Sequence, residues 1–297
     1  MTDELSTDLD FTGERFTPEC VREIWYEHMH RYVFAGELVA GRNVLDAACG
    51  EGYGSFYLAA RAKHVTGVDI SEESIAHATE RYRADNLVFE HADCRELPFK
   101  DGEFNCIVSF ETLEHLEEQE TLLAEFRRVL TPEGFLLISS PDKAVYSEKL
   151  KNENPYHVRE LYKGEFESLL AGQFPAVELL GHKLAFHSMI WRSGKAGQPV
   201  GVNFHQHEDN QVSRTSTPSQ DPVYWLALCA SEQRLLPSPG GVDVWLFDDA
   251  SESVYQHYQH EIRKNMAAGG ILQEKDLEIE ALKQPRQSWW RRLFSAG

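Results

Sequence analysis

The sequence predicts an α/β fold built on a doubly wound, mostly parallel sheet, and three observations carry that prediction. Short apolar runs alternate with helical segments from about residue 43 to residue 140. A glycine-rich turn joins the first strand to the first helix, and acids stand at the carboxyl ends of the first strands. Strand–helix alternation buries a parallel sheet between two helical layers, and such sheets bind ligands beyond the carboxyl ends of their strands.

Taken in order, "NVLDAA" (43–48), "HVTGVDI" (64–70), "NLVFEHA" (86–92), "FNCIVSF" (104–110) and "GFLLISS" (134–140) read as strands rich in Val, Ile, Leu and Phe. Helices are predicted at "GSFYLAARA" (54–62), "SEESIAHATERYRA" (71–84) and "EEQETLLAEFRRVL" (117–130), with Ser71 as an N-cap and "TPEG" (131–134) as a turn. Beyond Ser140 the pattern loosens to a helix at 163–174 and strands at 176–184 and 222–231, the last expected antiparallel. Residues 191–221, rich in Gly, Ser, Pro, Gln and His, read as a long loop, and "HQHE" (205–208) within it as ordinary loop residues rather than metal ligands. The expected organisation is an N-terminal cap segment over 1–42, the main domain over 43–232, a helical segment over 250–284 and a basic aromatic tail over 285–297. Leu272, Ile279 and Leu282 hold coiled-coil spacing that Lys275 interrupts.

A formal charge of −19 argues against a nucleic-acid partner, which calls for a basic footprint. The five cysteines lack a CxxC pair and the acidic start lacks an apolar core, so a cytoplasmic protein without a signal peptide is expected.

The turn "DAACGEGYGS" (46–55) lets backbone pass close to a cofactor. Its Gly50, Gly52 and Gly54 are flanked by Asp46 and Glu51, and Asp69 and Asp93 close the second and third strands. Such acids repel a pyrophosphate and suit a ligand bearing an ammonium and a sulfonium, as S-adenosylmethionine (SAM) does. On these residues the stretch 43–140 resembles the class I SAM-dependent methyltransferases, whose sheet is seven-stranded and Rossmann-like. The resemblance implies that Asp46, Gly50 and Gly52 face the methionine part, Asp69 beside Ile70 the ribose, and Asp93 with Cys94 the adenine.

"FETLEH" (110–115) crowds Glu111, Glu114 and His115 at the end of the fourth strand, on one face if the chain turns helical there. Three readings stand: caps satisfying a helix start, a general base at His115, or a divalent metal site completed by His157. The ExxEH motif with its later histidine resembles the metal-dependent small-RNA 2′-O-methyltransferases and, more loosely, ubiquinone-pathway O-methyltransferases. It implies Glu111, Glu114, His115 and His157 as ligands, with His115, His157 and Glu111 in catalysis. Mixed Glu/His ligation suits Mn²⁺, Fe²⁺, Co²⁺ or Zn²⁺ better than Mg²⁺.

"TGERFTPE" (12–19), "EHMHRY" (27–32), "SFETLEHL" and "NPYHVRELY" resemble bacterial methyltransferases of polysaccharide and O-antigen biosynthesis, which implies O-methylation of a sugar hydroxyl on a carbohydrate or lipid-linked glycan acceptor. His30 and Arg31 stand equally well for a SAM or substrate contact and for a solvated helix face. The tail "SWWRRLFSAG" pairs tryptophans with arginines, a pattern for peripheral contact with an anionic inner-membrane face or with a glycan-assembly partner. A homo-oligomer is a further expectation. The competing functions are a small-molecule O-methyltransferase acting on a catechol, a quinone precursor or another metabolite, and a SAM-fold scaffold.

Overall fold

In the computed structural model the described residues are 23–185, 187–190, 202, 204–208, 211–215, 217–218, 220–238, 242–248 and 252–283. Two compact units divide the chain at Leu246. The first opens with α1 (Glu23–Leu38) and continues β1 (Asn43–Ala47), α2 (Tyr53–Ala59), β2 (His64–Asp69), α3 (Glu72–Arg81), β3 (Leu87–His91), β4 (Phe104–Ser109), α4 (Gln119–Val129), β5 (Leu130–Pro141), α5 (Lys163–Ala171) and β6 (Ala176–His182). It closes with a small hairpin, β7 (Phe204–Glu208) and β8 (Gln211–Thr215), and then β9 (Tyr224–Ala230).

Seven strands form one sheet in the order β3-β2-β1-β4-β5-β9-β6. β9 runs antiparallel to both of its neighbours, while the ladders from β3 through β5 are parallel. The expected seven-stranded, doubly wound sheet with an antiparallel last strand is therefore present. Alternate residues of the central strands feed two cores, as a parallel strand covered on both faces demands. Val44, Cys106, Val108, Phe135 and Leu137 meet Tyr32, Phe34 and Leu38 of α1 and Leu58 of α2. Leu45, Ile107, Leu136 and Ile138 meet Leu122, Leu123 and Phe126 of α4 and Phe166 and Leu170 of α5. Each such fully buried Leu or Phe contributes about 2 kcal/mol relative to leaving it in water.

Local chemistry sets the helix ends. Ser71 Oγ accepts the Ser74 amide at 3.2 Å, Glu72 and Glu73 occupy the first turn of α3 and Arg81 its last, matching the helix dipole. The "TPEG" stretch departs from the expected turn: Leu130 already pairs with Phe104, the register slips, and Phe135 resumes opposite Cys106, so 131–134 lie within β5 as an irregularity. The expected loop over 191–221 contains the β7–β8 hairpin, so "HQHE" lies on a strand, with Phe204 opposite Thr215 and Glu208 opposite Gln211.

The second unit holds α6 (Ser253–Lys283), a single helix of 31 residues with Ile262, Met266, Leu272, Leu277 and Ile279 exposed. No helix among the described residues is long and apolar enough to cross a membrane. The "TGERFTPE" motif and the 285–297 tail lie outside the described residues.

Candidate functional site

In the strand order β3-β2-β1-β4-β5 the winding reverses between β1 and β4, and sheets of this kind bind ligands beyond the carboxyl ends of the strands at that point. The chain leaves β1 through Ala48 at φ 60°, Gly50 at φ 56° and Gly52 at φ 92°, and α2 begins directly afterwards. A Cβ at Gly50 would meet nothing within 4 Å, so backbone is bare there. At Gly52 it would meet Ala78 Cβ and Phe89 Cζ at 2.7 Å, so this glycine is needed for packing against α3 and β3 as well as for its dihedral. The Asp69 carboxylate accepts the Gly50 amide and the Ser71 amide, each at 2.9 Å, and so ties the end of β2 to the turn. Beside it Ile70 stands 65% exposed, an apolar platform at the rim. A bare glycine turn, an acid at the end of β2 and an exposed aliphatic next to it fit an adenosyl cofactor.

The other acids are placed differently from one another. Asp46 is 0% exposed and accepts from Ser55 Oγ at 2.6 Å and Tyr32 Oη at 3.2 Å, so its carboxylate lies beneath the turn. Glu51 turns into α3, where His77 and Tyr82 hold its oxygens at 2.9 Å. Asp93 accepts from the Arg95 guanidinium at 2.7 Å and from the Arg95 amide, and these bonds hold it below the usual carboxylate range. Cys94 is buried, and burial pushes its thiol up to about 12. Of the expected cofactor residues, Gly50, Gly52, Asp69 and Ile70 gather at the turn, Asp93 stands at the rim and Asp46 supports from below.

Burial also raises Asp46 to about 7, against the lowering effect of its Ser55 and Tyr32 bonds. Between about pH 4 and 7 the folded chain keeps a proton that the unfolded chain has released, so this group subtracts stability as pH rises. The full effect is roughly 4 kcal/mol. Asp46→Asn is expected to flatten the fall in unfolding free energy between pH 4.5 and 7, read by urea titration at each pH; an unchanged slope would refute it.

The second cluster follows β4. Glu111 adopts φ 50°, in the left-handed region, and this turns the chain sharply into a 3₁₀ turn at Leu113–His115. Glu111 consequently leaves the helical face expected to carry all three side chains. Its Oε1 accepts from Ser139 Oγ at 2.6 Å and lies 3.9 Å from Arg31 Nη1. Glu114 is 0% exposed, and neither carboxylate oxygen has a hydrogen-bond partner. Burial, reinforced by Glu111, pushes it well above the usual range.

His157 reaches Glu114 because its loop is bolted to the 3₁₀ turn. The amides of Val158 and Arg159 donate to the Glu114 carbonyl at 2.8 and 3.0 Å, and Gln119 Nε2 spans the carbonyls of Leu113 and Arg159. Glu114, His115 and His157 then place ligand atoms within 4.8 Å of one another. His115 Nδ1 donates to the Tyr156 carbonyl at 3.0 Å, and His157 Nδ1 pairs with Glu160 at 2.5 Å. In the neutral imidazole, each bond leaves Nε2 as the lone-pair nitrogen, the tautomer a metal ligand needs. A buried carboxylate without partners beside two such imidazoles fits a divalent cation. Three of the four expected ligands therefore come together, and Glu111 stands apart with Ser139 and Arg31. Glu160 was missed, although its position three residues after His157 offered a signal; Ser139, Gln119 and Tyr146, whose ring lies 5.3 Å from that of His157, had none.

Residues 45–138 match the methyltransferase domain family. That stretch is similar to proteins described as SAM-dependent methyltransferases. A protein of Mycolicibacterium smegmatis described as a probable S-adenosylmethionine-dependent methyltransferase is 38% identical over 169 residues, which cover 56% of this chain and 65% of that one. A Mycobacterium tuberculosis protein of the same description is 36% identical over 165 residues, 54% of this chain and 60% of that one. The 27-O-demethylrifamycin SV methyltransferase of Amycolatopsis mediterranei is 38% identical over 115 residues, 35% of this chain and 42% of that one. The chain thus spans just under two thirds of the length of the first two relatives. The matched stretch includes the glycine turn, Asp69 and the Glu114–His115 part of the second cluster, while His157 lies beyond it.

Proposed function

We propose that the chain is a SAM-dependent O-methyltransferase acting on a sugar hydroxyl in bacterial glycan synthesis, with a divalent metal held by Glu114, His115 and His157. The observation that carries the metal is the Glu114 carboxylate, sealed from water with neither oxygen hydrogen-bonded. An ionised carboxylate in that position is costly unless a cation or a proton joins it. Two histidines in the lone-pair tautomer beside it favour the cation, in a two-histidine, one-carboxylate set that leaves positions open.

A cation held there would supply Lewis acidity that lowers the pKa of an acceptor hydroxyl. Asp69 and the Gly50 backbone would hold and orient the cofactor. Glu111, held by Ser139, would accept a hydrogen bond or a proton from the acceptor. The His157–Glu160 pair steadies one imidazole and gives its proton a carboxylate partner.

The test is transfer of labelled methyl from SAM to a panel of neutral sugars, nucleotide sugars and lipid-linked oligosaccharides, with and without chelator. Expected are incorporation into a sugar, a loss of about tenfold or more on chelation, and recovery with Mn²⁺. Chelator-insensitive transfer by a metal-free preparation would remove the metal. A second reading, a small-molecule acceptor, draws support from the exposed Leu150, Tyr156 and Val158 flanking His157 and from the rifamycin relative. Incorporation into catechols alone would select it.

A further inference from the structure

Arg31 on α1 is 1% exposed, so the solvated-face alternative does not hold. Its Nη1 lies 3.4 Å from His182 Nδ1 and 3.9 Å from Glu111 Oε1, and its guanidinium sits over the Tyr224 ring at 4.8 Å. Its Nε and Nη2 are buried with no hydrogen-bond partner. These two nitrogens share one edge of the planar group and present two parallel N–H donors, the fork with which arginine grips a pair of adjacent oxygens. A fork so deeply enclosed and unmet calls for a partner that the described residues do not supply.

The position says which ligand. Arg31 touches residues from the ends of β4, β6 and β9, the half of the sheet away from Asp69 and Asp93, where an acceptor would lie opposite the cofactor. The charge around it says more. Glu111 is already within ion-pair distance, Glu27 stands one helical turn away, and the buried Glu114 interacts electrostatically with both Glu111 and Arg31. The neighbouring His28, His30 and His182 are all held in the neutral form, first by burial and then by Arg31 itself. An added anion would face those carboxylates, with the Arg31 cation already within ion-pair distance of Glu111. A neutral vicinal diol satisfies both donors at no charge cost and offers its own hydroxyl protons to Glu111. The rings of Tyr224 and Tyr146, with centroids 6.0 Å apart, and of His182 supply faces for C–H bonds.

We propose that Arg31 is the acceptor-docking residue, its Nε/Nη2 fork gripping two adjacent hydroxyl oxygens of an uncharged polyhydroxylated acceptor while Glu111 accepts from one of them. The assignment rests on the methyltransferase reading and names the substrate class at that same crevice: neutral sugars over sugar acids. The fork selects which diol docks, and so which hydroxyl is presented.

The experiment begins with binding of S-adenosylhomocysteine, the demethylated cofactor product, to the full chain by calorimetry. If it does not bind, the methyltransferase reading falls and this inference falls with it. On the loaded protein, methyl α-D-mannopyranoside, a neutral cis-diol, and D-glucuronate, an acid, are titrated by saturation-transfer NMR. The neutral glycoside is expected to bind about tenfold tighter than the acid. Arg31→Met should weaken it about tenfold and Arg31→Lys should not restore it, since lysine lacks the fork. Cofactor-product affinity should stay within about twofold. Tighter binding of glucuronate, no glycoside binding to the loaded wild type, or equal losses of glycoside and cofactor product in Arg31→Met would each overturn the proposal, the last by giving Arg31 to the cofactor. If Arg31→Met does not fold, the wild-type preference and the lysine variant still decide.

Discussion

Glu114→Gln is expected to lower methyl transfer about a hundredfold or more while making the metal-free chain more stable, by about 1–2 kcal/mol. The opposite signs follow from one fact: the carboxylate is fully enclosed and neither oxygen is hydrogen-bonded. Without a cation it must either stay charged against burial and Glu111 or take up a proton at a cost. Glutamine keeps the shape and removes that cost, but as a neutral amide it is a poor metal ligand. At about 2–4 °C per kcal/mol the melting temperature should rise by several degrees. Calorimetry of chelated protein, elemental analysis for bound metal and the transfer assay read the three parts. A variant that melts lower and keeps wild-type transfer would make Glu114 a structural acid, and the metal proposal would go with it.

The second large effect is structural. At Gly54 a Cβ would stand 2.0 Å from Tyr32 Cζ and 2.2 Å from Cε1. That ring cannot step aside easily: its hydroxyl donates to Asp46, and its faces and edges are packed against Tyr53 and Phe110 at centroid distances of 5.3 and 5.1 Å. Gly54→Ala should therefore cost about 3 kcal/mol, at the upper end for overpacking, and lower the melting temperature by about 6–12 °C. Adding Tyr32→Ala should recover part of the loss, because the two changes share one contact. A single variant melting within about 1 °C of wild type would refute the argument.

The parallel sheet was legible because its strands are buried on both faces, and short continuous apolar runs such as "CIV" in "NCIVS" suit that position. The β7–β8 hairpin was not, because "FHQHE" and "QVSRT" carry no apolar alternation and pair outside the main sheet. Asp69 could be placed from its position at the end of β2. The orientation of Glu51 could not: it depends on His77 and Tyr82, which a helix brings back from 26 and 31 residues on. The ExxEH pattern located the second cluster but counted Glu111 in, since nothing in the sequence announces a left-handed residue at a glutamate. Arg31 looked like part of a polar helix face; its burial is made by His182, 151 residues away, and by Tyr224. Local pattern carries the frame of the crevice, and long-range packing decides which polar groups line it.

Consecutive residues of α1 reach opposite wings of the sheet: Tyr32 bonds Asp46 beneath the glycine turn, and Arg31 meets Glu111, His182 and Tyr224. Under the proposed assignments, a single helical segment would link the donor's side of the site to the acceptor's. Whichever molecule arrives first restrains that segment and lowers the ordering cost left for the other, so the two should bind with synergy and the steady-state kinetics should be sequential.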